Sequence, residues 1–539
     1  MLTRLRLLSK ALAILSMACA ALFAGTVAPD LNTYSSGTVL QVIVGLNNPS
    51  QLPQPINMIG AVQVNTLPNA LVLQTTAGTA IGLASDPAVS HVAVNHVMVG
   101  SASLGYDYLP RTLQPTAASY TGTAPAGSLG SGVGVAVIDS GIHTSNIDLI
   151  GNGLSGKANN LSSRVWYSQS FIPYETTPDD LYGHGTHVAG IIAGDGSNSY
   201  GAAYSNDIHG VAPGAHLINL KVIDQNGISN DAEVIQAIQT AIQLKNIFNI
   251  QVINLSLGRP AFESYAADPL CQAVEQAWNA GIVVVVAAGN GGRPEPGSIT
   301  NGYGTIEVPG NDPLVITVGA MNTEGTATRA DDLMTTYSSK GPTMGDSVVK
   351  PDLVAPGNLI NSILVPGSTL ALAEPGNVTP LSAYISSPAG QASSYFVLSG
   401  TSMAAAATSG AVASLLSTPA NASLTPDQVK ARLMLTATKT FPTSSVITDA
   451  TTGQAFNIQY DIFTVGAGYL DIAAALSNTD LAAGSALSPT AVFNAATGQV
   501  TLADTAVSGT TAVWGSTAVW GSSTNDATES ISVAIEGEQ

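Results

Sequence analysis

The sequence predicts an α/β protein: three layers, with a mainly parallel central sheet and helices on both faces, preceded by a small α+β unit. Three observations carry this. Near-continuous apolar runs at 135–138, 217–220, 252–255 and 282–287 read as strands buried on both faces. Helical stretches at 185–193, 231–246 and 268–279 alternate with them, which is the pattern of crossover connections. Several runs end in a polar residue (Asp139, Ser256 or Asn290), and functional groups gather at the carboxyl ends of parallel strands.

The chain starts MLTRLRLLSKALAILSMACAALFAGTVAPD, with a basic start, a short apolar run and small residues near Ala20 and Ala24. That is the layout of a cleavable secretory signal over 1–24, and no run is long enough for a membrane span. Cys19 would leave with it, so Cys271 alone remains and no intrachain disulfide is expected. Three of the sixteen basic residues lie in the first ten positions, and the net charge of −19 becomes more negative once they are removed. So acidic a protein should repel nucleic acid and anionic membranes and stay soluble outside a cell.

Beyond the leader, alternating strands at 39–44, 70–74 and 89–94, with a short helix at 76–84, make a small α+β unit over 32–98. His91 and His96 lie in it with no nearby carboxylate or Cys cluster, so neither is expected to be a ligand. A Gly/Ser/Pro-rich linker follows over 100–131. Farther on, Gly400 to Ser417 reads GTSMAAAATSGAVASLLS, a small-residue helix starting near Ser402 that neighbours can approach closely. Ser402 at its mouth is expected to serve as helix cap and to lie near free N–H groups and the positive end of the dipole. Thr425 to Gln428 reads as a capping box. Past Ala475 the chain turns to Ala, Thr, Ser and Gly. Hexads TAVSGT, TAVWGS and TAVWGS stand at 505–522, with 490–493 a stray copy of their start.

Three segments together carry chemistry: GVAVIDSGI at 134–142, HGTHVAGIIAG at 184–194 and SGTSMAAA at 399–406. They supply Asp, His and Ser in that order. With Asn254 to Gly258, Ala287 to Asn290, Pro351 to Gly357 and Gly466 to Asp471, they resemble the subtilisin-like serine proteases (peptidase S8) over roughly 105–475. The resemblance implies a serine endopeptidase. Ser402 would attack the peptide carbonyl, His184 would relay its proton and Asp139 would hold the imidazole. Asn290 would join the Ser402 N–H in an oxyanion hole. His187, the second His of HGTH, is expected to pack within its helix.

The same resemblance makes Ser256, Leu257 and Gly258 an edge strand for extended substrate. It places Glu307 near the base of the main specificity pocket, favouring Lys or Arg before the scissile bond. Arg259 stands where the family often has a small residue and is expected to narrow the adjoining subsites. Asp148 matches an acidic position that helps hold structural calcium in part of the family, although the partner loop at 195–209 differs. No cofactor is needed for the chemistry. Ala406 replaces the family's usual Pro, which leaves the helix intact with a looser start.

The unit at 32–98 resembles the family's inhibitory propeptide, with maturation expected within 98–120. An insertion at 358–398 either rims the cleft or forms a surface loop. Expected partners are protein or peptide substrates and the chain's own propeptide, with the enzyme acting as a monomer. A dinucleotide-binding loop is disfavoured because Gly132-Val133-Gly134 precedes its strand. A lipase-like hydrolase is disfavoured because Ser402 lacks a Gly-x-Ser-x-Gly frame. The remaining rival is a catalytically weak or inactive relative used for binding at the cell surface, against which stand the intact Asp139, His184, Asn290 and Ser402.

Overall fold

The computed structural model describes residues 25–47, 60–100, 129–151, 162–293, 300–325, 329–386, 390–449, 453–494 and 499–503. The expected leader at 1–24, nearly all of the 100–131 stretch and the TAVWGS hexads lie outside them.

The small α+β unit is built on a five-stranded sheet. Its strands are β1 (Thr26–Val27), β2 (Val39–Leu46), β3 (Ala61–Leu67), β4 (Ala70–Thr76) and β5 (Val89–Val94), in the order β1-β5-β2-β4-β3. Alternation along these strands serves two faces. Val42, Val44, Leu71, Leu73 and Val92 pack against Leu31 and helix α1 (Ala77–Leu83), whose start is capped by Thr76. Ile43, Leu67 and Val72 turn the other way and join the core of the larger unit. The strand β6 (Val97–Gly100) leaves this sheet altogether.

The larger sheet has eight strands: β7 (Gly134–Asp139), β8 (Val165–Ser170), β9 (His216–Lys221), β11 (Ile250–Leu255), β13 (Val283–Ala287), β14 (Ile316–Asn322), β15 (Leu333–Met334) and β16 (Leu353–Pro356). The path runs β15-β14-β13-β11-β7-β9-β8, with β16 also paired to β14, and all pairs but β14–β15 are parallel. Every residue of β7, β9, β13, β14 and β16 is buried, as near-continuous apolar runs require. Two short strands, β10 (Ile228–Asn230) and β12 (Leu257–Gly258), flank β6 in a separate three-stranded sheet.

Helices α2 (His184–Ala193), α3 (Asp231–Phe248), α4 (Pro269–Asn279) and α6 (Thr401–Leu416) fill the outer layers, with the short α5 (Thr369–Ala373) between α4 and α6 in sequence. All sixteen residues of α6 are buried. The helix tolerates this because most of its residues are small and let neighbours approach: a Cβ on Gly410 would lie 2.7 Å from the Val211 Cβ. Helix α7 (Pro426–Thr436) starts with the expected capping box of Thr425 and Gln428.

The 358–398 insertion departs from a paired hairpin, β17 (Ile360–Ile363) with β18 (Tyr395–Leu398), and carries α5. Its Thr369 and Leu370 amides donate to Leu181 O and Tyr182 O, both at 3.0 Å, so it rims the cleft on the His184 side. Thr490–Asn494, the stray copy of the hexad start, pairs with Gln499–Ala503 as a hairpin. Nearby, Ser488 reaches the buried trio of Lys350, Asp352 and Lys430.

Candidate active site

Asp139 ends β7, with β9 on one side and β11 on the other. Helix α2 begins beside it, and the approach is close because Gly185 has no side chain. A Cβ there would lie 2.3 Å from Gly141 O and 3.1 Å from the Asp139 Cβ. The result is a 2.7 Å contact between His184 Nδ1 and Asp139 Oδ1, with both side chains at 0% exposure. Burial alone disfavours an imidazolium, but the charge and hydrogen bond of Asp139 outweigh it and hold His184 above the ordinary imidazole value.

Ser402 lies in the first turn of α6. Its Oγ donates to Ser256 O at 3.1 Å, and the Ser256 hydroxyl returns a bond to Ser402 O at 3.1 Å. Ser402 is therefore not the helix cap expected from sequence. Gly400 holds that position, and no side chain caps the helix. The physical reason is that α6 starts one residue before Ser402, which leaves its hydroxyl for the neighbouring strand end. His184 Nε2 is buried and makes no hydrogen bond among the described residues. The nucleophile–base contact is thus not formed in this state, as is common in resting sites.

Asn290 follows β13, and its Oδ1 accepts from the Thr401 N–H at 3.0 Å and the Thr401 hydroxyl at 3.1 Å. Fixing the oxygen orients the amide, with the nitrogen as its donating end. Glu307 packs between two strand ends. A Cβ on Gly258 would lie 2.3 Å from Glu307 Oε2, and one on Gly289 would lie 2.7 Å from Glu307 Cδ. Only the two glycines leave room for this side chain. Leu257 and Gly258 pair with β6, which places an extended strand along the cleft.

Two sequence expectations change. Arg259 does not narrow a subsite: its guanidinium is buried, bonded to Asp231 at 2.8 Å and Asp268 at 2.7 Å, at the starts of α3 and α4. Two carboxylates beneath the cleft floor draw it inward. The Asp148 corner, in turn, does not fit calcium. Its oxygens accept from the Asn198 N–H at 2.6 Å and the Tyr395 hydroxyl at 2.8 Å. Donors thus converge where a cation would need acceptors. Beside it the Arg164 guanidinium donates to the carbonyls of Ala193 at 2.6 Å, Ala215 at 3.2 Å and Asp148 at 2.5 Å. Burial pushes the Asp148 carboxyl up to about 7 despite these bonds. Among the described residues no group of three or more His, Cys, Asp or Glu side chains is arranged to hold a metal.

Sequence reading missed Asp180. Fully buried, it accepts from Ser140 Oγ, Gly183 N, Thr186 N and Thr186 Oγ1 at 2.7–2.9 Å, tying the start of α2 to the end of β7. Its position four residues before His184, at a helix start, was the available signal. Thr401 was also missed, since its role is to hold Asn290. His187 packs as expected: its Nε2 contacts Ile360 O at 3.1 Å and Phe396 O at 3.0 Å. His91 and His96 do have carboxylate partners, Glu263 at 2.9 Å and Asp30 at 3.2 Å, brought to them only by folding.

The family model for subtilases matches residues 130–460. Serine protease AprX of Bacillus subtilis (strain 168) is 38% identical over 307 residues, covering 56% of this chain and 60% of AprX. The chain therefore spans about three fifths of that relative's length. Subtilisin E of the same strain is 34% identical over 357 residues, covering 66% of this chain and 72% of its own. The crystal structure of fervidolysin from Fervidobacterium pennivorans aligns with 85% of this chain and 63% of its own at a TM-score of 0.55. At 21% identity that likeness speaks for the fold alone. The family match covers more than half of a chain whose fold brings Asp139 onto His184, and it establishes that this protein belongs to the subtilase family of serine endopeptidases.

Proposed function

We propose that the chain is an exported endopeptidase, made as a self-processing precursor, in which Ser402, His184 and Asp139 act as the triad. The observation that carries this is the buried Asp139–His184 pair facing a cleft that already holds an extended strand, with Ser402 at the opening of a buried helix. In this reading Ser402 Oγ turns from Ser256 O toward His184 Nε2 and adds to a peptide carbonyl. Its proton passes through His184 to the leaving amine. Asn290 Nδ2 and the Ser402 N–H stabilise the oxyanion, helped by the start of α6.

The unit before residue 100 acts as intramolecular inhibitor, and the leader directs export; the enzyme works as a monomer on protein or peptide substrates. Glu307, set between Gly258 and Gly289, gives the pocket a carboxylate that favours Lys or Arg before the scissile bond. The test is to purify the wild type and Ser402→Ala. The wild type should mature and digest denatured protein, and the variant should remain an uncut precursor. A wild type that stays intact and digests nothing would favour the binding-only alternative. Equal cleavage of Phe- and Lys-type peptides would remove the role given to Glu307.

A further inference from the structure

The two segments that build the Asp139–His184 pair meet a second time, at the surface. His143 follows Asp139 on the exit from β7, and Asp179 precedes His184 on the approach to α2. Their roles are exchanged: the β7 exit now supplies the imidazole and the α2 approach the carboxylate. His143 Nδ1 is 3.0 Å from Asp179 Oδ1, and His143 Nε2 is 2.8 Å from the Ser145 hydroxyl. A carboxylate only accepts, so Nδ1 carries the proton and Nε2 accepts from Ser145. Serine, imidazole and carboxylate thus stand in the hydrogen-bond order of an activated nucleophile. At the cleft the Ser402 Oγ bonds to Ser256 O instead of the base; here both contacts are formed.

The backbone beneath each member is held. The His143 N–H donates to Thr186 Oγ1 at 2.9 Å, and the His143 carbonyl accepts from Asn146 N–H at 3.2 Å, closing the turn that carries Ser145. The Asp179 carbonyl accepts from Lys221 Nζ at 2.9 Å, and its neighbour Asp180 is fixed by four hydrogen bonds. The set is also reachable: the His143 and Asp179 side chains are 33% and 46% exposed, and Ser145 is exposed too.

That exposure limits the chemistry. General-base help from such an imidazole is worth about a hundred- to ten-thousand-fold. A water-filled site lacks a preorganised oxyanion hole, which forfeits roughly a hundred- to a thousand-fold. The balance suits an acyl carbon already activated by a good leaving group and not an amide. We propose that Ser145, with His143 as base and Asp179 as its orienting partner, is a second nucleophile that takes acyl groups from activated esters.

With an aryl ester the step balances without a further reactant. Ser145 Oγ bonds to the acyl carbon, and the bond from that carbon to the aryl oxygen breaks. The hydroxyl proton passes to His143 Nε2 and leaves with the phenol. The product is an ester at Ser145, whose own leaving group is a poor alkoxide, so the acyl group stays on the chain.

The experiment uses the full-length Ser402→Ala protein, which removes the cleft nucleophile and makes the outcome independent of the protease reading. The protein is treated with p-nitrophenyl acetate, and acetylated residues are located over time by peptide mass mapping. Ser205, exposed on the loop after α2, is the internal reference. Ser145 should be acetylated at least about tenfold faster than Ser205. Adding His143→Ala should bring it down to the Ser205 rate, and adding Asp179→Asn should slow it several-fold, with unchanged melting temperatures showing that both variants fold. Acetylation of Ser145 no faster than Ser205, or a rate indifferent to either substitution in the folded protein, overturns the inference.

Discussion

His184 and His187 stand three residues apart on α2, both fully buried, and their surroundings drive them in opposite directions. His184 meets a carboxylate, which holds it above the ordinary imidazole value. His187 meets two backbone carbonyls of the β17–β18 hairpin. Burial, followed by the charge of His184, pushes it down to about 3. The first is equipped to exchange a proton near neutral pH, and the second is a neutral donor that fastens the hairpin to the helix. On the proposed reading, one helix thus supports reaction at its first residue and architecture at its fourth. What separates them is the partner, since burial is the same.

The largest expected effect comes from breaking the reactive side. His184→Ala should lower kcat by roughly 10^4-fold or more with a small change in melting temperature, read by peptide hydrolysis and thermal unfolding. Asp139→Asn should come close to it and should move the acid limb of kcat/KM to lower pH. In the wild type that limb should centre above 6.5, because His184 must lose its proton to act and Asp139 retains it. A wild-type limb centred below 6.5 would contradict the pairing.

His187→Ala should do the reverse, keeping kcat within a few-fold while destabilising by about 2–3 kcal/mol through two carbonyls left without a donor. His187 also sets a pH trend. It takes up a proton near 6.5 when unfolded and only near 3 when folded, so its contribution is complete above 6.5 and fades as pH falls toward 3. Replacement of His187 by Ala should flatten that part of the melting profile. The smallest effect is expected at α6, where Ala406 is buried in an unbroken helix. Ala406→Pro should leave turnover within a few-fold, and a collapse would show that the helix start is more exacting than its packing suggests.

Much of this was legible in the sequence, for identifiable reasons. Strands β7, β9, β11 and β13 announce themselves because burial on both faces leaves little room for polar residues. Strand β3 was missed because Val62 and Val64 lie on its exposed side, so its apolar pattern marks no core. Asp139 and His184 were found through the local motifs around them. Asp180, Thr401 and the partners of Asp148 were not, because each works through a contact made by folding. Tyr395 reaches Asp148 across 247 residues of sequence, and no local pattern foretells that. The same holds for Arg259, whose direction depends on two carboxylates from separate helices.

The corner held by Arg164 has a consequence for where such an enzyme can work. A bound ion comes and goes with its supply, whereas a guanidinium on the chain is present whenever the chain is. The three carbonyls it gathers stay gathered in a medium stripped of divalent ions. The sensitivity moves to the proton instead. Asp148 ionises near 7 in the folded protein against 3.8 as its ordinary value, so this corner weakens as pH rises between them. Mineral-poor surroundings leave it untouched, and the rise from acid to neutral pH loosens it.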